Sequence, residues 1–132
     1  MMPNLHGISA LTNQGKFITF GDTRADWGFG KMEDSERSNL NTIFETDPIK
    51  RIFKGDGYII FLTESKKLYS YGGTRNIIRS LSSYSGFEDK TFEYAVCLEY
   101  GQGWGVNSMK YVAVESNGNA FVVDHKHGAN PF

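Results

Sequence analysis

Cysteine, proline and long apolar runs are all scarce in this sequence. Its one cysteine, Cys97, has no partner in the chain, so an intrachain disulfide framework is excluded, and a reducing compartment is the expectation. Three prolines in 132 residues leave strands and their turns uninterrupted. No run approaches the roughly 18 apolar residues of a membrane span. Residues 1–6 carry no basic patch leading into an apolar segment, so no signal peptide is read there. Together these features predict a cytoplasmic protein with no membrane partner.

Recognisable catalytic chemistry is equally thin. The pairs and triplets of glycine around Gly28-Phe29-Gly30 and Gly101-Gln102-Gly103-Trp104-Gly105 lack the following Lys-Ser/Thr of a phosphate loop and open no helix. Cys97, within an apolar run, reads as a small core residue rather than a nucleophile. His125 and His127 would lie on one side of an extended segment beside Asp124, but no third ligand stands at a fixed spacing, so no metal or other cofactor is expected. No pair among the carboxylates Asp22, Asp26, Glu33, Asp34 and Glu36 is singled out for acid and base work. The chain reads as not an enzyme.

A net charge of −1 gives no general reason to expect nucleic acid. The charge is unevenly spread: residues 1–49 carry −3, residues 50–90 carry +4 and residues 91–132 carry −2. A basic middle between acidic ends can steer a charged partner.

Aromatics and glycines are abundant. Ten Phe, seven Tyr and fifteen Gly favour strands joined by tight turns, and the length suits one domain, residues 1–132, with a core of its own. The stretch Tyr58-Ile59-Ile60-Phe61-Leu62 alternates two apolar faces, breaks at Thr63-Glu64-Ser65-Lys66-Lys67 and resumes at Leu68, Tyr69 and Tyr71: a hairpin. The same order of residues occurs at 11–21 and 114–124, offset by 51 and 52 residues. Three hairpin units follow, at 8–44, 49–83 and 92–125. The turn positions are Gly15, Lys66 and, after Asn117, Gly118. Residues 49–53 and 92–100 read as leading strands of the second and third units, the latter a buried one. Residues 31–39 read as an acidic connection, 40–44 as a short strand or one helical turn, 76–83 as an outer strand or short helix, and 124–132 as a polar tail.

Residues 10–22, Ala-Leu-Thr-Asn-Gln-Gly-Lys-Phe-Ile-Thr-Phe-Gly-Asp, resemble the blades of regulator-of-chromosome-condensation type β-propellers, and the second and third units match that pattern less closely. The resemblance implies propeller-like blades. Three units, the first without a leading strand of its own, are too few for a closed seven-bladed ring, so the expected fold is all-β, built of antiparallel hairpin units that stack as blades or pack as an open sandwich. The exchange-factor activity of one branch of that family is not carried over, because no stretch here reproduces a partner-specific surface.

What remains is recognition. Trp27 and Phe29 lie in one glycine-punctuated loop and Trp104 in another, and tryptophan in a loop either anchors an interface or caps a sheet end. With Asp22, Asp26, Glu33, Asp34 and Glu36 beside them, these residues predict a protein-binding surface. The expectation is an inhibitor, immunity protein or adaptor that docks another protein, such as a basic enzyme or toxin, with a homo-oligomer also compatible. The alternative is a lectin-like module that stacks glycans on Trp27 or Trp104, although the two tryptophans do not occupy equivalent positions in their units.

Overall fold

Every side chain of the strand Tyr58–Thr63 is buried, on both faces. A strand with apolar residues at consecutive positions needs cover above and below, and the architecture supplies both. The computed structural model describes residues 2–3, 7–14, 17–21, 34–55, 58–72, 75–98, 110–124 and 128–131. Among them the chain runs β1 (Met2–Pro3), β2 (Gly7–Leu11), β3 (Phe17–Gly21), α1 (Asp34–Thr46), β4 (Ile49–Lys54), β5 (Tyr58–Thr63), β6 (Leu68–Gly72) and β7 (Arg75–Ser80). A 3-10 turn (Leu81–Ser83) leads on to β8 (Phe92–Cys97), β9 (Lys110–Glu115), β10 (Ala120–Asp124) and β11 (Gly128–Pro131).

The protein is mainly β. Two four-stranded antiparallel sheets, β4-β5-β6-β7 and β8-β9-β10-β11, form an open sandwich, and a three-stranded sheet β1-β2-β3 precedes them. Between the two larger sheets lie Tyr58, Ile60, Leu62 and Leu68 from the first, and Phe92, Ala95, Tyr111, Ala113 and Val123 from the second. On the opposite face of β4–β7, Ile49, Ile59, Phe61 and Tyr71 pack against Leu40 and Phe44 of α1. Each such Val, Leu, Ile or Phe side chain taken from water contributes roughly 1.5–3 kcal/mol of transfer free energy before entropy is counted.

The two larger sheets share local detail. In the β5–β6 turn the Thr63 amide donates to the Lys67 carbonyl (2.9 Å) and the Lys66 amide to Thr63 (2.9 Å); in the β9–β10 turn the Glu115 amide donates to Asn119 (2.7 Å) and the Gly118 amide to Glu115 (2.9 Å). Lys66 and Gly118 occupy the matching positive-φ corner, at φ 67° and 95°. Each leading strand also carries a register shift one residue in, which leaves Lys50 and Glu93 as the extra, exposed residues.

Four readings change. Residues 31–39 are not all connection: helix α1 begins at Asp34 and runs 13 residues. Leu40, Ile43 and Phe44 give it an apolar stripe at the i, i+3, i+4 spacing. Residues 76–83 are both things at once, strand β7 to Ser80 and then the 3-10 turn, whose first amides are met by the Ser80 hydroxyl accepting from Ser82 (3.2 Å). The tail is not simply polar coil, since Gly128–Pro131 pairs with β10 as an edge strand, where proline is tolerated. The first unit does have a short leading strand, Met2–Pro3 on β2.

Strand β8 is also less buried than its sequence suggests. It is an edge strand, with Phe92 and Ala95 inward and Tyr94 and Val96 exposed at 41% and 44%. Cys97, at its end, is half-buried.

Candidate functional site

Of the residues singled out in the sequence, Asp34 and Glu36 lie in the first turn of α1. Asp22, Asp26, Trp27, Phe29, Glu33 and Trp104 lie outside the described residues, as do His125 and His127. The described strands fix where the segments carrying them leave the fold.

Tyr58 opens β5 and is 1% exposed. Its hydroxyl donates to the Lys110 carbonyl at the head of β9, with the Leu98 carbonyl also near, at 3.2 Å. The Leu98 amide donates to the same Lys110 carbonyl at 3.1 Å. Thus the two stems of the segment 99–109, which carries Trp104, are tied to each other and to the facing sheet. Lys110 pairs in register with Asp124, which pairs in turn with Gly128, so the segment 125–127 leaves beside it. The Lys110 ammonium sits 3.6 Å from the Asp124 carboxylate, whose side chain is only 9% exposed.

The opposite end is made of the tight turns and of a cleft of about 400 Å³ lined by Thr12, Asn13 and Gln14, which follow β2, together with Pro48, Ile49, Lys50 and Glu64. There the Glu64 amide donates to the Pro48 carbonyl (2.8 Å) and the Phe92 amide to the Lys66 carbonyl (2.8 Å), while Asp47 accepts from the Ser65 amide (3.0 Å). Strand β3 starts beyond the Thr12–Gln14 turn and runs away from it to Gly21. The segment with Trp27 and Phe29 follows Gly21, at the end of β3 away from that turn.

A second cluster escaped the sequence reading. Arg51 of β4 is exposed, and its guanidinium carbon lies 5.2 Å from the Phe53 ring centroid and 5.0 Å from that of Tyr94. The two rings meet edge to face, 4.8 Å apart at 67°. The alternation of Arg51 and Phe53 along one strand was visible; Tyr94 joins them only because β8 packs beside β4, which no local pattern encodes.

The titratable groups near these sites have clear causes for their shifts. Burial pushes the Cys97 thiol up to about 11 against a smaller opposing hydrogen bond from Tyr58. A thiol so raised is protonated and a poor nucleophile at neutral pH. Burial likewise raises the Tyr111 hydroxyl. The Lys66 ammonium, hydrogen-bonded at 2.6 Å, lowers Glu93. Among the described residues no three His, Cys, Asp or Glu side chains gather to hold a metal ion, and no helix is long and apolar enough to cross a membrane.

No protein-family model matches the chain, and no curated protein matches it either.

Proposed function

We propose that this chain is a non-enzymatic binding domain that docks a partner protein, as an inhibitor, immunity protein or adaptor does. The contact surface is made by Trp27 and Phe29 with the acidic residues Asp22, Asp26, Glu33, Asp34 and Glu36, and by Trp104. The observation that supports this reading is that both stems of the Trp104 segment are tied to the facing sheet through the Tyr58 hydroxyl. Aromatic anchors presented from a rigid scaffold supply retained energy at low ordering cost, and carboxylates around them speed the encounter with a basic partner. The lone cysteine, with no second cysteine in the chain to pair with, fits a reducing, cytoplasmic setting.

The test is affinity capture of the partner from the native host, followed by cross-linking and mass spectrometry. Cross-links to residues 22–36 and 99–109 are expected, with capture lost in Trp27→Ala and Trp104→Ala and made more salt-sensitive by Asp34→Lys with Glu36→Lys. Capture that survives all of these changes removes this surface. Glycan-array binding abolished by Trp104→Ala replaces the reading with the lectin-like one.

A further inference from the structure

We infer that the adjoining edge strands β4 and β8 form a second docking surface, for an acidic and extended protein segment. Among the described residues, β4 is the outermost strand of its sheet and β8 of the other. Half of the six residues of β4, Lys50, Arg51 and Lys54, are cationic and exposed. Among the described residues none of the three is within ion-pair distance of a carboxylate, whereas Lys66, Lys90 and Lys110 each are. Lys50 is near enough to Glu93 to help lower its carboxyl, so the cationic edge is only partly offset and stays complementary to carboxylates.

Cations on an edge strand also discourage edge-to-edge aggregation, and three lysines would do that alone. The arrangement at β4 goes beyond that need. Arg51 is stacked against Phe53 and Tyr94, which holds its planar guanidinium in place for a bidentate carboxylate. Tyr94 and Val96, exposed at 41% and 44%, add apolar area that edge protection would avoid. Preordered Arg and Tyr beside open apolar surface is the composition of an interface centre, and an unpaired strand edge offers main-chain partners to an incoming strand. A polypeptide is favoured over nucleic acid because the patch is one strand long and an incoming strand can hydrogen-bond along its main chain.

The experiment titrates the full chain against fluorescein-labelled peptides of about ten residues, long enough to span the strand, and reads anisotropy. One peptide alternates Val and Glu, one alternates Val and Lys, and a single-stranded oligothymidine is the third probe. The Val-Glu peptide should bind at low salt and the Val-Lys peptide should not. Arg51→Ala should weaken binding about tenfold, and Lys50→Glu with Lys54→Glu, which leaves the Phe53–Tyr94 contact intact, should abolish it. Circular dichroism confirms that each variant is folded. Absence of Val-Glu binding, binding indifferent to these substitutions, or tighter binding of the oligothymidine overturns the inference. The partner capture described above reads Trp27 and Trp104, so failure of either proposal leaves the other standing.

Discussion

The hydroxyl of Tyr58, in the first four-stranded sheet, donates to the main-chain carbonyl of Lys110 in the second. Because the Leu98 amide shares that acceptor and the Leu98 carbonyl lies 3.2 Å from the same hydroxyl, one side chain closes the gap between the sheets and the base of the segment carrying Trp104. Removing only the oxygen isolates this role. Tyr58→Phe is expected to cost about 1–2 kcal/mol in urea unfolding, with faster limited proteolysis within residues 99–109. Unchanged proteolysis would show that the clamp does not govern that segment.

Gly55 exists to let Tyr58 lie where it does. A Cβ at this position would fall 2.2 Å from the ring. The ring is buried and tied at its tip, so it cannot swing clear. Gly55→Ala is expected to destabilise by about 1–3 kcal/mol through overpacking. Thermal unfolding that matches the parent would mean that the β4–β5 connection relaxes without cost.

Lys66 and Gly118 take the same corner of two similar turns with opposite suitability. Lys66 holds φ at 67°, a region that disfavours any side chain by about 1–2 kcal/mol. Lys66→Gly relieves that strain at some cost in unfolded-state entropy and gives up an exposed ion pair with Glu93, so a net gain of up to about 1 kcal/mol is expected. At Gly118 an added Cβ meets no atom within 4 Å, and the cost of Gly118→Ala is conformational alone, about 1 kcal/mol. Melting curves of the two variants should move in opposite directions; a shift of the same sign in both contradicts the argument.

The strands were legible in the sequence because alternation and turn chemistry are local. Residues 49–53 become Ile49–Lys54, and the consecutive apolar residues of 58–62 become a strand buried on both faces. What was not legible depends on distant neighbours. Helix α1 has only Leu40, Ile43 and Phe44 as an apolar stripe, and its first two turns are polar, so nothing but the waiting face of Ile59, Phe61 and Tyr71 marks it as packed. Gly128–Pro131 lacks strand-forming residues and is extended because β10 offers a free edge. At the functional level, Trp27 and Trp104 stand out in the sequence among glycines, whereas the Arg51, Phe53 and Tyr94 cluster requires two strands about forty residues apart to lie side by side.

Phe44 tests the packing of that helix. It is 2% exposed, with its ring 5.3 Å from Phe61 and 5.3 Å from Tyr69. A 13-residue helix is marginal by itself in water, so α1 depends on this contact. Phe44→Ala should cost about 3–5 kcal/mol and reduce the helical signal in circular dichroism before the sheets melt. A loss below about 1 kcal/mol would show that α1 is held by something else.

Cys97 gives a pH signature with a definite sign. Its thiol is raised from 9.0 to about 11 by burial, so the folded state keeps the proton over a range in which the unfolded chain releases it. The resulting contribution to stability is fully present below about 9 and is lost as pH rises through about 11. Folded and unfolded protein can be compared directly, since alkylation by iodoacetamide follows the thiolate. At pH near 8 the folded chain should react about a hundredfold more slowly from thiolate fraction alone, and its rate should climb until the pH passes the raised value. Cys97→Ala should remove the corresponding fall in stability at alkaline pH relative to the parent. Alkylation of the folded protein as fast as that of the unfolded chain would mean an exposed, ionisable thiol at the end of β8, and the base of the Trp104 segment would then be open rather than packed.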